Sequence, residues 1–267
     1  MGEQPLVDNN KSREDAIVNH VTEMYNDAAW NKKGMDAHNT GNYTFAIDAF
    51  SKSIELNPHE AYTYYCRGEA YAELDDHDKA IENYSKSIEL NPQDAYSYFR
   101  RGVAYSKLGS LNKAIEDYSN MIQLYPQHAF SYNKRGIAYD KLGKYQHAIE
   151  DYSEAIRLTP HYADAYYNRA LAYSKCDQYQ LSIEDFKKVI CLKPDYADAY
   201  RYRGLVYLLQ GKDNLGYRDA RKAHTLGNSE LLEWAKGEEN AVNSEGNLKL
   251  IISGNPHFNS NIKVNDK

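Results

Sequence analysis

AYSYFRRGVAYSKLGSLNKAIEDYSNMIQLYPQH (residues 95–128) runs directly into AFSYNKRGIAYDKLGKYQHAIEDYSEAIRLTPHY (residues 129–162). Laid one over the other, the two stretches share Ser-Tyr, Arg-Gly, Ala-Tyr, Lys-Leu-Gly, Ala-Ile-Glu-Asp-Tyr-Ser and Pro at the same offsets. Working outward, Pro58, Pro92, Pro126, Pro160 and Pro194 stand 34 residues apart, and only Pro5 and Pro256 lie off this ladder. Aligning on the prolines sets six blocks in register: 27–60, 61–94, 95–128, 129–162, 163–196 and 197–230. Tandem self-similarity at one period, with no insertion, marks a repeat architecture rather than a single closed core.

Numbered within the block, position 4 is aromatic (Trp30, Tyr64, Tyr98, Tyr132, Tyr166, Tyr200) and position 8 is small (Gly34, Gly68, Gly102, Gly136, Ala170, Gly204). Position 11 is Tyr71, Tyr105, Tyr139, Tyr173 and Tyr207, with Ala37 in the first block. Position 20 is small (Ala46, Ala80, Ala114, Ala148, Ser182, Gly216), and position 24 is aromatic (Phe50, Tyr84, Tyr118, Tyr152, Phe186) until Ala220. Offsets 4, 8 and 11 form one face of a helix, and 20, 24 and 27 one face of a second. Gly or Asp at position 15 suits the turn between them, and the Pro at position 32 follows a helix that it could not continue.

This pattern resembles the tetratricopeptide repeat family over about three quarters of the chain. The resemblance implies an all-α, right-handed superhelical solenoid of six tandem helix-turn-helix repeats, with an N-terminal helix and a C-terminal capping helix. Each helix pair leaves an apolar side uncovered, so neighbours stack. The chain is read as a flexible N-terminus (1–11), a helical extension (12–26) opened by the capping-box-like Ser12-Arg13-Glu14-Asp15, and repeats 27–60, 61–94, 95–128, 129–162, 163–196 and 197–230. The sixth is degenerate, Gly216, Ala220 and Asn228 replacing the usual residues. A capping helix at 231–241 brings Leu231, Leu232 and Trp234 to the last open face, and a polar tail (242–267) holds Leu248-Lys249-Leu250-Ile251-Ile252, a loose or docked segment.

The bulk chemistry excludes more than it assigns. A net charge of −6 argues against a nucleic-acid partner held by electrostatics. No apolar run reaches the ~18 residues that span a bilayer, and the N-terminus lacks a signal-peptide h-region. Cys66, Cys176 and Cys191 fit neither a zinc site nor a disulfide framework, so a cytoplasmic protein with reduced thiols is expected. The nine histidines are scattered, and no metalloprotease, phosphate-loop or nucleophile-elbow motif is present. The expectation is a protein without enzymatic activity, cofactor, metal or catalytic residue.

By the resemblance, first helices line a concave groove, through positions 2, 5, 6, 9, 12 and 13. These vary where the packing positions do not. Tyr62, Tyr65, Tyr96, Phe99 and Phe130 make one part of the groove aromatic, the residue class that anchors interfaces. Arg100, Lys134 and Arg201 offer positive charge, Asn133 and Asn168 amide groups for an extended peptide backbone, and Tyr167 a further ring. The carboxylate clamp of Hsp70 and Hsp90 co-chaperones is not present: over blocks 1–3 its five positions hold Asn31, Met35, Cys66, Tyr96 and Arg100, and over blocks 4–6 Asn133, Ile137, Asn168, Asp198 and Tyr202. A cationic row at position 7 (Lys33, Arg67, Arg101, Arg135, Arg169, Arg203) faces Asp at position 23 in the last four blocks, which reads as pairing between helices. The expected role is a protein–protein interaction scaffold or adaptor that binds a peptide or helix of an unidentified partner in the groove. The alternative is a structural subunit or homo-oligomer that uses the convex face or the ends.

Overall fold

The computed structural model describes residues 26–234. The expectations for residues 1–25, for the capping helix beyond residue 234 and for the polar tail lie outside the described residues. The chain is an all-α array of six helix-turn-helix repeats: α1 (Asp27–Asn39) and α2 (Tyr43–Leu56), α3 (Ala61–Glu73) and α4 (His77–Leu90), α5 (Ala95–Lys107) and α6 (Leu111–Leu124), α7 (Ala129–Lys141) and α8 (Tyr145–Leu158), α9 (Ala163–Lys175) and α10 (Tyr179–Leu192), α11 (Ala197–Leu209) and α12 (Asp213–Thr225). A final helical stretch begins at Glu230. The helices gather into two compact units that meet at Leu124 and Tyr125 in the sequence: α1–α6 form unit 1, and α7–α12 with the final helix form unit 2.

Each repeat makes its turn in the same way. Position 15 takes a left-handed backbone throughout, at Gly41, Asp75, Gly109, Gly143, Asp177 and Gly211. The next residue then donates its N–H to the carbonyl at position 11, as Ser110 N to Tyr105 O (2.9 Å) and Lys144 N to Tyr139 O (2.9 Å). This closes the first helix with a Schellman-type bond that satisfies an orphan carbonyl. The second helix stops because the residue before each Pro must leave the helical region. Asn57, Asn91, Thr159 and Lys193 accordingly lie at φ −135° to −138° and ψ 82° to 89°.

Within a repeat, the aromatic ring at position 24 lies on the small residue at position 8. A Cβ built on Gly68 would stand 2.7 Å from Tyr84 Cε1, and one on Gly136 2.7 Å from Tyr152 Cε1. The ring replaces a side chain on the first helix, and Tyr84, Tyr118 and Tyr152 are fully buried. The sixth repeat reaches the same packing by other means. Ala220 supplies no ring, so Gly204 and Gly216 bring the helices together while Leu208 and Leu231 fill the space. Leu231 is completely buried, and Leu232 and Trp234 pack partly buried beside it, so the final helix caps this end of unit 2.

Candidate functional site

The cationic row at position 7 is spent inside the array. Arg101, Arg135, Arg169 and Arg203 pair with Asp117, Asp151, Asp185 and Asp219 at 2.8, 2.7, 2.7 and 2.6 Å. Arg101 and Arg169 also donate to Ser85 and Ser153, on the second helix of the preceding repeat, at 2.9 Å each. Each guanidinium lies over the ring at position 4, 5.8 Å from Tyr98 and 5.6 Å from Tyr166. Burial lifts the Asp117, Asp151 and Asp185 carboxyls above their ordinary range, and the facing guanidinium offsets that only in part. Burial also works against charge on the partner arginines, but the hydrogen-bonded carboxylate keeps them ionised. In these four repeats the row orients helices and its charge is paired inside the array.

In unit 1, α3 and α5 carry the candidate aromatics. Tyr62 and Tyr96, each at position 2, are 51% and 52% exposed. Tyr65 and Phe99 are half-buried, resting on Tyr84 and Tyr118 with ring centroids 6.0 and 5.8 Å apart. Tyr62 stacks on Tyr65 (6.0 Å, 15°). Arg100 is bound to Glu69 at 3.0 Å and lies near the Tyr65 hydroxyl, while Glu69 also accepts from the Tyr84 hydroxyl. Burial and the Glu69 charge push the Tyr65 hydroxyl up to about 12. Glu69, at position 9, is therefore the organising residue of this face. Its only signal in the sequence is an acid among variable groove positions.

Two cavities flank the Tyr62–Tyr65 pair. One, of about 170 Å³, is lined by Met35, Phe50, Cys66 and Glu69 among others. Burial pushes the Cys66 thiol up to about 11, which leaves that wall uncharged. The other, of about 520 Å³, lies between Tyr62, Tyr65 and Tyr96 and is rimmed by Glu60, Asn91 and Asp94.

In unit 2 the matching positions are largely filled from within. Phe130 is exposed, but its ring lies 5.0 Å from Tyr162. Asn133, only 1% exposed, donates to the Tyr162 hydroxyl (3.1 Å), and Asn168 donates to Asn133 Oδ1 (3.1 Å). Tyr167, 2% exposed, is a core residue among Phe186, Tyr196 and Tyr202. Arg201 is buried against Glu230 and over the Tyr202 ring, and Lys134 is half-buried. The residue that decides this is at position 34, the joint before the next first helix. It is Glu60 and Asp94 in unit 1, and His128, Tyr162, Tyr196 and Glu230 in unit 2, the two tyrosines lying against Asn133 and Tyr167. The acids cap α3 and α5 by accepting from Tyr62 N (3.3 Å) and Tyr96 N (3.1 Å), whereas the tyrosines make no cap and cover their own repeat.

Among the described residues, no group of three or more His, Cys, Asp or Glu side chains could hold a metal ion, and no helix is long and apolar enough to cross a membrane. Against the curated proteins the sequence finds no significant match. A tetratricopeptide repeat model matches residues 61–94, 95–128 and 163–196, and a second TPR repeat model matches residues 139–177. Among solved structures, the crystal structure of MamA protein shares 26% identity over 64% of this chain and 94% of that one, with a TM-score of 0.61. YrrB, described as a TPR protein with an unusual peptide-binding site, shares 20% identity over 72% of this chain and 99% of its own, with a TM-score of 0.64. The pilF protein of Pseudomonas aeruginosa shares 16% identity over 79% and 97%, with a TM-score of 0.66. Repeat period, turn chemistry, ring-on-glycine packing and these matches agree, and the chain contains tandem tetratricopeptide repeats.

Proposed function

We propose that the chain is a non-catalytic scaffold whose unit 1 holds a peptide or helix of a partner protein on the face formed by α3 and α5. The observation that carries this reading is the pair of half-exposed rings, Tyr62 and Tyr96, standing over the half-buried Tyr65 and Phe99. Rings fixed from below and open above gain contact area at small entropic cost, which is the behaviour of interface anchors. The peptide-binding site named for YrrB is consistent with such a use of this fold. In unit 2, taken by itself, Phe130 and Lys134 would be contacts, while Asn133, Tyr167, Asn168 and Arg201 would act as support. The test is crosslinking mass spectrometry of the full chain in its native host, with the wild type and Tyr62→Ala/Tyr96→Ala side by side. The expected result is crosslinks concentrated on α3 and α5 that fall at least about tenfold in the variant at unchanged helicity. Undiminished crosslinks elsewhere on the chain would sink the reading in favour of a structural or self-associating role.

A further inference from the structure

The larger cavity of unit 1 sits where positions 2 and 5 of repeat 2 meet the joints on either side. Its lining brings together the rings of Tyr62, Tyr65 and Tyr96 with the carboxylates of Glu60 and Asp94, and includes no cationic side chain. Each carboxylate caps a helix, and a helix N-terminus offsets about half a charge, so two carboxylates still leave on the order of one negative charge. Arg100, which lies near the Tyr65 hydroxyl but outside this lining, is paired with Glu69 at 3.0 Å.

Repeats 5 and 6 show what the corresponding place accepts. In repeat 5, Lys193 Nζ lies 2.8 Å from Asp164 Oδ1 and 5.8 Å from the centre of the Tyr196 ring. In repeat 6, the Arg201 guanidinium lies 4.2 Å over the Tyr202 ring and pairs with Asp198 (3.4 Å) and with Glu230. In both repeats a cation rests against a ring and meets a carboxylate from position 2, joined in repeat 6 by one from position 34. Repeat 2 and the joints on either side of it supply rings and carboxylates, and among the described residues the lining of this cavity includes no Lys or Arg.

We propose that this site binds a lysine or arginine side chain of the partner peptide, its charge lying against the Tyr62, Tyr65 and Tyr96 rings and paired with Glu60 and Asp94. The proposal rests on the reading of unit 1 as the peptide-binding face and states what that face selects. An aromatic ring holds a cation through its negative face, and flanking carboxylates add a salt-sensitive attraction.

The probe is an array of nonapeptide pools, randomised except for a central Lys, Arg, Gln, Glu or Phe, presented to the full chain. The Lys and Arg pools are expected to bind roughly three- to tenfold more tightly than the Gln pool, with a preference that shrinks as salt is raised. Glu60→Gln/Asp94→Asn keeps an amide oxygen at each cap while removing both charges, and it is expected to abolish the preference. Tyr62→Leu, which removes a ring but no charge, is expected to reduce it and guards against misfolding of the double variant. Strongest binding by the Glu or Phe pool, or a Lys and Arg preference that survives Glu60→Gln/Asp94→Asn, would overturn this proposal and leave the peptide-binding face standing. Binding by no pool at all would overturn both.

Discussion

Position 23 is Asn83 in repeat 2 and Asp in the four repeats that follow, yet the arginine at position 7 meets all of them. Arg67 donates to Asn83 Oδ1 at 2.8 Å, much as Arg101 does to Asp117 Oδ2 at 2.9 Å. The pair therefore tolerates loss of the negative charge more readily than loss of the positive one. Asp117→Asn copies repeat 2 and is expected to cost less than about 1 kcal/mol. Arg101→Met strands a buried carboxylate and is expected to cost roughly 3 kcal/mol at neutral pH. The sign with pH follows from the carboxyl's raised folded value. A raised group contributes stability that is complete below its unfolded value, near 3.8, and is lost as pH rises through the folded value. Without the arginine that folded value rises further. Urea melts of Arg101→Met should therefore show the smallest deficit near pH 4 and the largest at pH 7. This pairing was legible in the sequence because both residues recur at fixed offsets, and repetition turns a weak charge pattern into a strong one.

Among the helices, the two units differ most at their starts. In unit 1, Asn26, Asn42, Glu60, Asp76 and Asp94 each accept a backbone N–H in the first turn of a helix. In unit 2, His128, Lys144, Tyr162, Gln178, Tyr196 and Lys212 hold the same place without any side-chain cap bond. An uncapped helix leaves first-turn donors to solvent, at a typical cost of ~1 kcal/mol. Lys144→Asp introduces a cap and also removes a positive charge from a helix N-terminus. It is expected to stabilise unit 2 by about 1 kcal/mol, raising its melting midpoint by a few degrees in calorimetry. Helix identity was plain from the 34-residue pattern. The fate of the groove residues was not. Asn133, Tyr167, Asn168 and Arg201 sit at groove-facing offsets, but offsets describe one helix, and the tyrosines that cover Asn133 and Tyr167 come from the joints. A joint residue carries no helical period to betray its direction.

Over the molecule, stability of a repeat array is a sum of units and their neighbours, so an end is protected only by what closes it. Leu231 performs that closure for unit 2, touching the space over Gly204 that an aromatic ring occupies in other repeats. Leu231→Ala is expected to cost roughly 2–5 kcal/mol, and hydrogen exchange should show α11 and α12 losing protection before α7–α10. The degeneracy of the sixth repeat announced such an end in the sequence, since a missing ring at position 24 must be compensated from outside the repeat. Position 34 has a different reach. At joints 60, 94, 162 and 196 one codon chooses between a carboxylate that fastens the next helix and a tyrosine that folds back over its own. The framework tolerates either choice, because the ring-on-glycine contacts and the arginine row run through other positions. On the reading proposed above, the number of binding seats on such a chain would be written separately from its architecture. Acids exchanged for tyrosines at the joints would add or remove seats one by one, as beads are threaded on a string of fixed length.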